Sequence, residues 1–489
     1  MSKTFRSFLF VFAAVVQILH FFNDLSAQDV KAFIKIDSQA PTKVAISGRF
    51  LKWGDIKNLS FLSNLGDISG LGDRISNVEV FDKDDQRINI RRMMSGEYLA
   101  ESAFTKWSYR VDLTPRKEPF AAAHISWLAN GGFLMLNDLL PQFDRKTAVA
   151  IGFTLPRDWV FADTEKIFSP DTLWIPNPEK AVFIIDTHEA PRRLSVRQRL
   201  ELNISGNWLF SDEKASETAT SIFSEYERLL GVSPAGEFIV AIRKFPRSTA
   251  IGTWEADTRG RTITIISSDA NFKSQSLQQL HEQMRHEMFH LWIPNGVNLN
   301  GNYDWFYEGF ALYQSLKTGV ALNRIRFDDY LDTLSRAYDI DKRLGQKLSL
   351  IEVSKNRWTG DNNTRVYARG MLVAFLCDLA LLEKSKGKQS VTDILRKFYE
   401  KHRPPSAETD GNTAVLALLR SYTELTPMIE RNITGAESVD WNSFIKAAGL
   451  EVDSTDQTTN LKVTVKPTGR QKDLLDKLGY NNWRKLSSK

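Results

Sequence analysis

The chain has 489 residues, of which 42% are hydrophobic and 25% are charged, and its formal net charge is +5. A chain of this length is too long for a single compact core, so we expect several domains. The basic residues are spread along the chain rather than gathered in a patch with aromatic side chains, and the composition therefore gives no reason to expect a nucleic-acid partner.

The first 27 residues have the composition of a targeting segment. A basic start is followed by an apolar run from Phe8 to Phe22 and a small residue, Ala27. This order predicts a secretory signal peptide, residues 1–27, cut before Gln28. The run is short for a membrane-spanning helix, and an uncleaved anchor is the alternative. We expect a secreted or periplasmic protein with no stable membrane span once the signal is removed.

Residues 28–210 consist of short β-type runs separated by turn residues, such as "KVAISGRF" and "TAVAIGFTL". Hydrophobic and polar residues alternate in several of these runs, which is typical of strands with one buried face. We predict a β-sandwich domain over this range.

Helical periodicity begins at residue 211, where Ser211 or Asp212 can cap a helix that ends before Gly231. We assign residues 211–324 to a domain of mixed helices and strands, and residues 325–450 to a helical domain. Residues 451–489 are left as a C-terminal tail with one strand and a short basic helix. Cys377 is the only cysteine and falls in an apolar helical run, so we predict that it is buried rather than catalytic.

The stretch "HEQMRHEMFH", residues 281–290, contains three of the chain's seven histidines. His281 lacks a histidine at the spacing of one helical turn, and we expect it to be a surface or capping residue. His286 and His290 are four apart, so on a helix their imidazoles lie on one face and can share a metal ion. Glu287 is rotated by about 100° from His286, which lets it reach a water on that metal without being a ligand.

Two imidazoles suit zinc, and a catalytic zinc site needs a third protein ligand and an open position. Glu308, in "DWFYEGFALY", lies on the next predicted helix. Glycine and proline in the intervening segment permit a reversal that sets the two helices side by side. The sequence therefore predicts a Zn²⁺ site formed by His286, His290 and Glu308.

With these motifs in view, the chain resembles the gluzincin metallopeptidases, and in particular the aminopeptidase-N and glycyl aminopeptidase families. "HEMFHLW" is similar to the zinc helix of those enzymes and "WFYEGFALY" to their glutamate helix, with Tyr307 in place of the usual asparagine. The glycyl enzymes continue into a C-terminal PDZ domain, for which the remaining 37 residues from Asp453 are too few. The resemblance implies a thermolysin-like zinc catalytic domain between the N-terminal β-sandwich and the C-terminal helical domain, in a multidomain α+β fold.

Two further matches concern the substrate. "AIGTWEAD" resembles the family's Gly-x-Met-Glu-Asn strand at Gly252 and Glu255. The resemblance implies that Glu255 binds the free α-amine of a peptide and that Gly252 lets the strand approach it. "VYARG" resembles the family's Tyr-x-Lys-Gly helix start, which implies that the Tyr367 hydroxyl stabilises the oxyanion.

The sequence thus predicts a zinc-dependent aminopeptidase that removes N-terminal residues from peptides, using zinc-activated water and Glu287 as general base. Two alternatives stay open. The chain is an endopeptidase on the same site if Glu255 has another role, or a catalytically silent envelope binding protein that has kept the zinc fold.

Overall fold

The computed structural model describes residues 28–51, 55–143, 147–169, 172–187, 191–345, 348–454 and 458–481. The signal peptide predicted for residues 1–27 lies outside these ranges. The chain divides into two compact units. Unit 1 runs up to Pro191 and includes Phe245–Ser248, and unit 2 contains Arg192–Lys244 and Thr249–Lys489.

Unit 1 is built from fifteen described strands in three sheets. An eight-stranded sheet has the order β13-β14-β11-β1-β2-β8-β4-β5, a four-stranded sheet the order β12-β15-β10-β9, and a three-stranded sheet the order β3-β7-β6. The strands are β1 Gln28–Lys35, β2 Lys43–Phe50, β3 Asn58–Ser60, β4 Ile75–Phe81, β5 Arg87–Ile88, β6 Ile90–Met94, β7 Glu97–Ala100, β8 Lys106–Asp112, β9 Trp127–Ala129, β10 Gly131–Met135, β11 Ala148–Thr154, β12 Val160–Ala162, β13 Lys166–Ser169, β14 Thr172–Ile175 and β15 Val182–Asp186. Short helical turns occur at Leu71–Arg74, Ala121–His124, Leu136–Leu139 and Pro178–Lys180.

The three sheets of unit 1 share one hydrophobic cluster, which explains the alternation in the sequence. In β8 every second side chain is buried, because successive residues of a strand point to opposite faces. Trp107 of β8 pairs with Gly48 of β2, and its ring lies where a side chain at position 48 would be. The β-rich nature predicted for the first part of the chain is confirmed.

The sheet of unit 2 has five strands in the order β16-β17-β18-β20-β19. Its members are β16 Arg192–Arg197, β17 Leu200–Ile204, β18 Phe238–Lys244, β19 Trp254–Arg259 and β20 Thr262–Ser267. β17, β18 and β20 are parallel neighbours, and the edge strand β19 runs antiparallel to β20. Smaller two-stranded sheets pair β21 Leu299–Asn300 with β22 Thr409–Asp410, and β23 Leu450–Ser454 with β24 Thr459–Val463.

The described part of unit 2 contains ten helices of at least six residues. They are α1 Asp212–Leu230, α2 Lys273–His290, α3 Asp304–Ala321, α4 Phe327–Leu344, α5 Leu350–Lys355, α6 Asn362–Ser385, α7 Val391–His402, α8 Gly411–Arg420, α9 Asn442–Ala447 and α10 Gly469–Leu478. Shorter turns lie at Thr423–Leu425, Thr426–Met428 and Ile429–Ile433. α1 begins as predicted, with the Ser211 hydroxyl accepting from the Lys214 amide, and ends before Gly231. None of the described helices is both long and apolar enough to cross a membrane.

The structure draws the boundary between the units differently from the sequence. The segment 192–204, which the strand texture assigned to the first domain, supplies β16 and β17 of the unit 2 sheet. Parallel pairing with β18 decides this, and that partner lies more than thirty residues further along the chain. Leu461 and Leu475 of the predicted tail are buried in the same hydrophobic cluster as the helices of 325–450.

Candidate metal centre

α2 carries three of the predicted site residues. The helix packs against β19 and β20, and its apolar side chains, including Met284, Met288 and Phe289, are buried. This leaves His286 and His290 on another face, one turn apart, with their Nε2 atoms 3.2 Å from each other. The i, i+4 spacing therefore brings the two nitrogens together as predicted from the helical repeat.

Glu308 on α3 completes a group of three ligand atoms. Its Oε2 atom lies 3.4 Å from Nε2 of His286 and 3.5 Å from Nε2 of His290. A tetrahedral zinc ion with bonds of about 2.0–2.1 Å separates its ligand atoms by about 3.3 Å, so these distances fit such an ion. Oε2 of Glu308 is buried, and no described group hydrogen-bonds to it. An orphaned carboxylate oxygen beside two imidazole nitrogens is a donor set suited to a divalent cation.

The ring orientations favour metal binding through Nε2. Nδ1 of His290 lies 3.0 Å from the carbonyl oxygen of Ile293, a contact in which Nδ1–H donates, so Nε2 is the nitrogen left to face a metal. The His286 ring is held by packing, with its centroid 4.7 Å from that of the His290 ring and 6.3 Å from that of the Tyr367 ring. Among the described residues, Nδ1 of His286 has no hydrogen-bond partner.

The electrostatics of the group favour a positive charge at its centre. Burial lowers the pKa of His290, but the Glu308 and Glu287 carboxylates outweigh burial and raise this pKa to about 9. Burial raises the pKa of Glu308, yet the charge of Arg357 and the neighbouring histidines keep it well below its usual range. The carboxylates thus stabilise either a proton or a divalent cation between these side chains, and the two compete.

Glu287 is almost fully buried, and its side chain contacts the edge strand β19. The Thr258 hydroxyl on β19 lies 2.6 Å from its Oε2 atom and 2.9 Å from its carbonyl oxygen. Burial raises the pKa of Glu287, while the two histidines and the Thr258 hydrogen bond lower it less strongly. The result is a carboxylate that is more basic than usual, as a general base requires.

Tyr367 lies on the first turns of α6. Its hydroxyl oxygen accepts a hydrogen bond of 2.7 Å from Nη2 of Arg357. Burial raises the pKa of Tyr367 well above its usual value, so the phenol stays protonated and can donate. Tyr307, the departure from the family pattern, packs its ring edge-on against His290 and donates a hydrogen bond to Asp304.

Two glycines allow α3 and α6 to approach closely enough to bring Glu308 near Tyr367. Gly309 follows Glu308, and Gly370 lies three residues after Tyr367. A Cβ atom at either glycine would lie less than 3.0 Å from the backbone of the other, a separation that Cβ atoms do not adopt. The helices therefore cross at backbone contact next to the site.

Gly252 and Glu255 lie just before and within the edge strand β19. Gly252 has a φ of 79° and open space around the position of a side chain. Glu255 is buried, and the pleat of β19 directs its side chain to the face opposite that of Thr258. The roles of Gly252 and Glu255 in substrate binding stay predictions.

Sequence reasoning missed two residues of this site and misjudged the burial of His281, which lies elsewhere on α2. Thr258 and Arg357 are 29 and 49 residues from the carboxylates they contact, and neither belongs to a recognisable motif. The expectation that His281 is a surface or capping residue is wrong, since it is only 2% exposed. It lies one turn before the buried Arg285, on a different face of α2 from His286 and His290.

Comparison with known proteins agrees with this architecture. No protein-family model and no curated protein matches the sequence. Among solved structures, the chain is similar to an aminopeptidase N family protein from Idiomarina loihiensis, with 14% identity and a TM-score of 0.71 over 88% of this chain and 82% of the other. It is also similar to a variant of an M1 zinc metallopeptidase from Deinococcus radiodurans bound to a Tyr-Ser-Ala substrate, with 13% identity and a TM-score of 0.51 over 83% and 93%. A two-domain M1 zinc metallopeptidase variant bound to L-arginine gives 13% identity and a TM-score of 0.50 over 85% and 95%. At these identities the likeness concerns the fold.

Proposed function

We propose that this chain is a zinc-dependent aminopeptidase that removes N-terminal residues from peptides. The observation that carries the proposal is the convergence of His286, His290 and Glu308 at the spacing of a tetrahedral ion, with the buried Glu287 beside them. The same fold occurs in M1 zinc metallopeptidases, one of which binds a tripeptide substrate, and this likeness supports the reaction class.

The proposed chemistry assigns one role to each side chain. When bound by these ligands, zinc lowers the pKa of a water molecule and polarises a peptide carbonyl. Glu287 takes a proton from the attacking water while the water oxygen forms a bond to the scissile carbonyl carbon. Glu287 then gives that proton to the leaving nitrogen as the C–N bond breaks. Tyr367 donates its hydroxyl proton in a hydrogen bond to the developing oxyanion.

The exopeptidase part of the proposal rests on Glu255 and Gly252. A carboxylate opposite a primary ammonium forms a charge-assisted hydrogen bond that an internal peptide bond cannot offer. Glu255 is buried on the edge strand β19. An edge strand can also pair with an extended peptide along its outer side. We therefore propose Glu255 as the anchor of the free α-amine and Gly252 as the point of close backbone approach.

One experiment separates this proposal from its two alternatives. The zinc-loaded protein is given a short peptide with a free N-terminus and the same peptide N-acetylated, with Glu287→Gln as the background. An aminopeptidase cleaves only the free form. Equal cleavage of both forms would identify an endopeptidase and remove the role of Glu255. Turnover no greater than that of Glu287→Gln across a varied peptide set would favour the silent binding protein.

We also propose that the chain is exported and acts as a secreted or periplasmic enzyme. The proposal rests on the basic start, apolar run and small residue within residues 1–27. N-terminal sequencing of the protein isolated from its host tests this. A mature chain that begins at or near Gln28 supports export with cleavage, whereas a chain that keeps residues 1–27 and remains in the membrane fraction supports the uncleaved anchor.

A further inference from the structure

Arg357 lies in the turn between α5 and α6 and is 7% exposed. Its backbone N–H donates to the carbonyl of Ser354, which fixes the turn after α5. A buried arginine is costly unless its charge and its donors are matched, so its partners identify what it is placed to do.

The guanidinium group of Arg357 joins two helices of the metal centre. Nη1 donates to Oε1 of Glu308 at 3.0 Å and to Oδ2 of Asp304 at 3.2 Å, both on α3. Nη2 donates to the Tyr367 hydroxyl at 2.7 Å, and Nε donates to Oδ1 of Asn363 at 2.7 Å, both on α6. All three nitrogens of the side chain are therefore engaged with α3 or α6.

The contact with Glu308 determines which of its carboxylate oxygens faces the histidines. Arg357 binds Oε1, and the other oxygen, Oε2, is the one within 3.5 Å of both Nε2 atoms. Asp304 lies one helical turn before Glu308, and two carboxylates at this spacing repel each other. The guanidinium group of Arg357 is hydrogen-bonded to both carboxylates, and its positive charge offsets that repulsion.

The contact with Tyr367 determines the direction of its hydroxyl proton. A guanidinium group has only donors, so the Tyr367 oxygen must accept from Arg357 and cannot donate to it. The phenol proton must therefore point away from Arg357, and Glu308 is one acceptor within its reach. Without Arg357 the hydroxyl loses the donor that fixes its orientation.

We propose that Arg357 is the positioning residue of this active site, holding Glu308 in the orientation that binds zinc through Oε2 and Tyr367 in the orientation that donates to the oxyanion. The part of this inference that concerns Tyr367 rests on the proposed function. The part that concerns Glu308 requires only that the site binds zinc. Nothing in the local sequence "SKNRWTGDNN" indicates this role, because its partners lie on other helices.

Zinc affinity provides the first test, measured by competition with a chromophoric chelator and independent of activity. Arg357→Met keeps an apolar stem of similar length but removes the charge and the donors. We expect its zinc dissociation constant to increase about 10- to 100-fold, the effect of losing a partner that orients a ligand. Arg357→Lys keeps the charge and should retain most of the affinity. Arg74→Met in unit 1 is the matched control, because Arg74 is also buried and paired with a carboxylate, Asp138 at 2.7 Å.

A double-mutant cycle with Tyr367→Phe, at saturating zinc, provides the second test. We expect Arg357→Met to lower kcat about 100- to 1,000-fold with a smaller change in KM, which is the size of effect seen when an oxyanion donor is lost. In the Tyr367→Phe background the same change should cost far less, because the hydroxyl that Arg357 orients is already absent. Arg357→Lys should also lose kcat, since one ammonium group cannot hold Glu308 and Tyr367 together.

The outcomes are distinguishable from failure of the proposed function. Folding of each variant is checked by circular dichroism and Tm. If Arg357→Met does not fold, Arg357→Lys replaces it in the kcat measurement and in the double-mutant cycle. The proposal would be overturned if Arg357→Met bound zinc with wild-type affinity and lost kcat equally with and without the Tyr367→Phe substitution. If the wild type holds zinc but hydrolyses no peptide, the aminopeptidase fails and the affinity measurement alone decides the role of Arg357.

Discussion

The Thr258 hydroxyl is the hydrogen-bond donor that moderates the basicity of Glu287. Burial raises the pKa of this carboxylate, and the Thr258 contact of 2.6 Å lowers it in part. Thr258→Val removes the donor with little change in volume, so we expect the pKa of Glu287 to rise further. As the proposed general base, Glu287 must be ionised to accept a proton, and we expect activity to be lost as pH falls through its pKa. The acid limb of kcat/KM should therefore move to higher pH.

The measurement is a pH–rate profile of wild type and Thr258→Val on the same peptide. Thr264→Val, which removes a buried hydroxyl from the adjacent strand β20, is the control and should leave the acid limb in place. Superimposable profiles for wild type and Thr258→Val would show that Thr258 has no part in tuning the base.

His281 supplies a test of stability rather than activity. Burial and the nearby charges of Arg285 and Arg324 lower its pKa to about 3, whereas an unfolded chain has a histidine pKa of about 6.5. Between these values the unfolded state binds the proton and the folded state does not. As far as His281 is concerned, the free energy of unfolding is therefore highest above a pH of about 6.5. It decreases progressively as the pH falls towards 3.

We expect His281→Leu to remove this acid sensitivity. Urea unfolding of both proteins at pH 7.5 and pH 4.5 measures it. Relative to the variant, the wild type should lose about 2–3 kcal/mol of unfolding free energy between the two pH values. A difference between the two proteins that does not change with pH would mean that His281 is readily protonated in the folded state.

At the scale of elements, the crossing of α3 and α6 decides whether the site assembles. Gly309→Ala places a methyl group against the backbone of Gly370 and forces the helices apart. Since overpacking of this kind commonly costs about 1–3 kcal/mol, and Glu308 and Tyr367 lie beside the crossing, both stability and zinc affinity should fall.

Thermal unfolding and chelator competition on Gly309→Ala measure the two effects. Gly469→Ala is a matched control, because Gly469 begins α10 and has open space where its Cβ atom would be. That variant should melt within a few degrees of wild type and bind zinc normally. A Gly309→Ala protein that behaves like Gly469→Ala would show that the helices tolerate a wider crossing.

The elements also show where local sequence information ends. The helix α2, the shared face of His286 and His290, and the start of α1 follow from residue spacing and capping, which act over a few residues. Residues 192–204, which form β16 and β17, were placed in the β-sandwich domain because strand texture does not specify a pairing partner. The same limit hid Arg357, whose partners Glu308 and Tyr367 are 49 and 10 residues away.

At the scale of the whole molecule, the three predicted metal ligands all belong to unit 2. Zinc that binds the folded state should therefore stabilise unit 2 directly, by an amount set by its affinity and concentration. We expect hydrogen exchange in α2 and α3 to slow when zinc is added to metal-free protein, with little direct effect on the strands of unit 1. Mass spectrometry of exchanged peptides measures this.

Glu308→Ala is the control for that experiment, because it removes one ligand while leaving α3 intact. Its exchange should not respond to zinc at the concentrations that protect the wild type. Protection of unit 1 strands alone, or equal protection in Glu308→Ala, would place the zinc at a different site.

The sequence by itself determined the features that depend on short-range periodicity: strand-rich texture over residues 28–210, helical periodicity from residue 211, and the pairing of His286 with His290 on one helical face. It also indicated Glu308, because a carboxylate on the helix after the zinc helix can supply the third ligand that the two histidines require. The tertiary structure alone decided the sheet to which β16 and β17 belong, the burial of His281, and the contacts of Thr258 and Arg357. All of these features depend on which distant segments of the chain meet. Packing between two segments, such as the contact of Gly309 with Gly370, cannot be read from the spacing of residues within either segment.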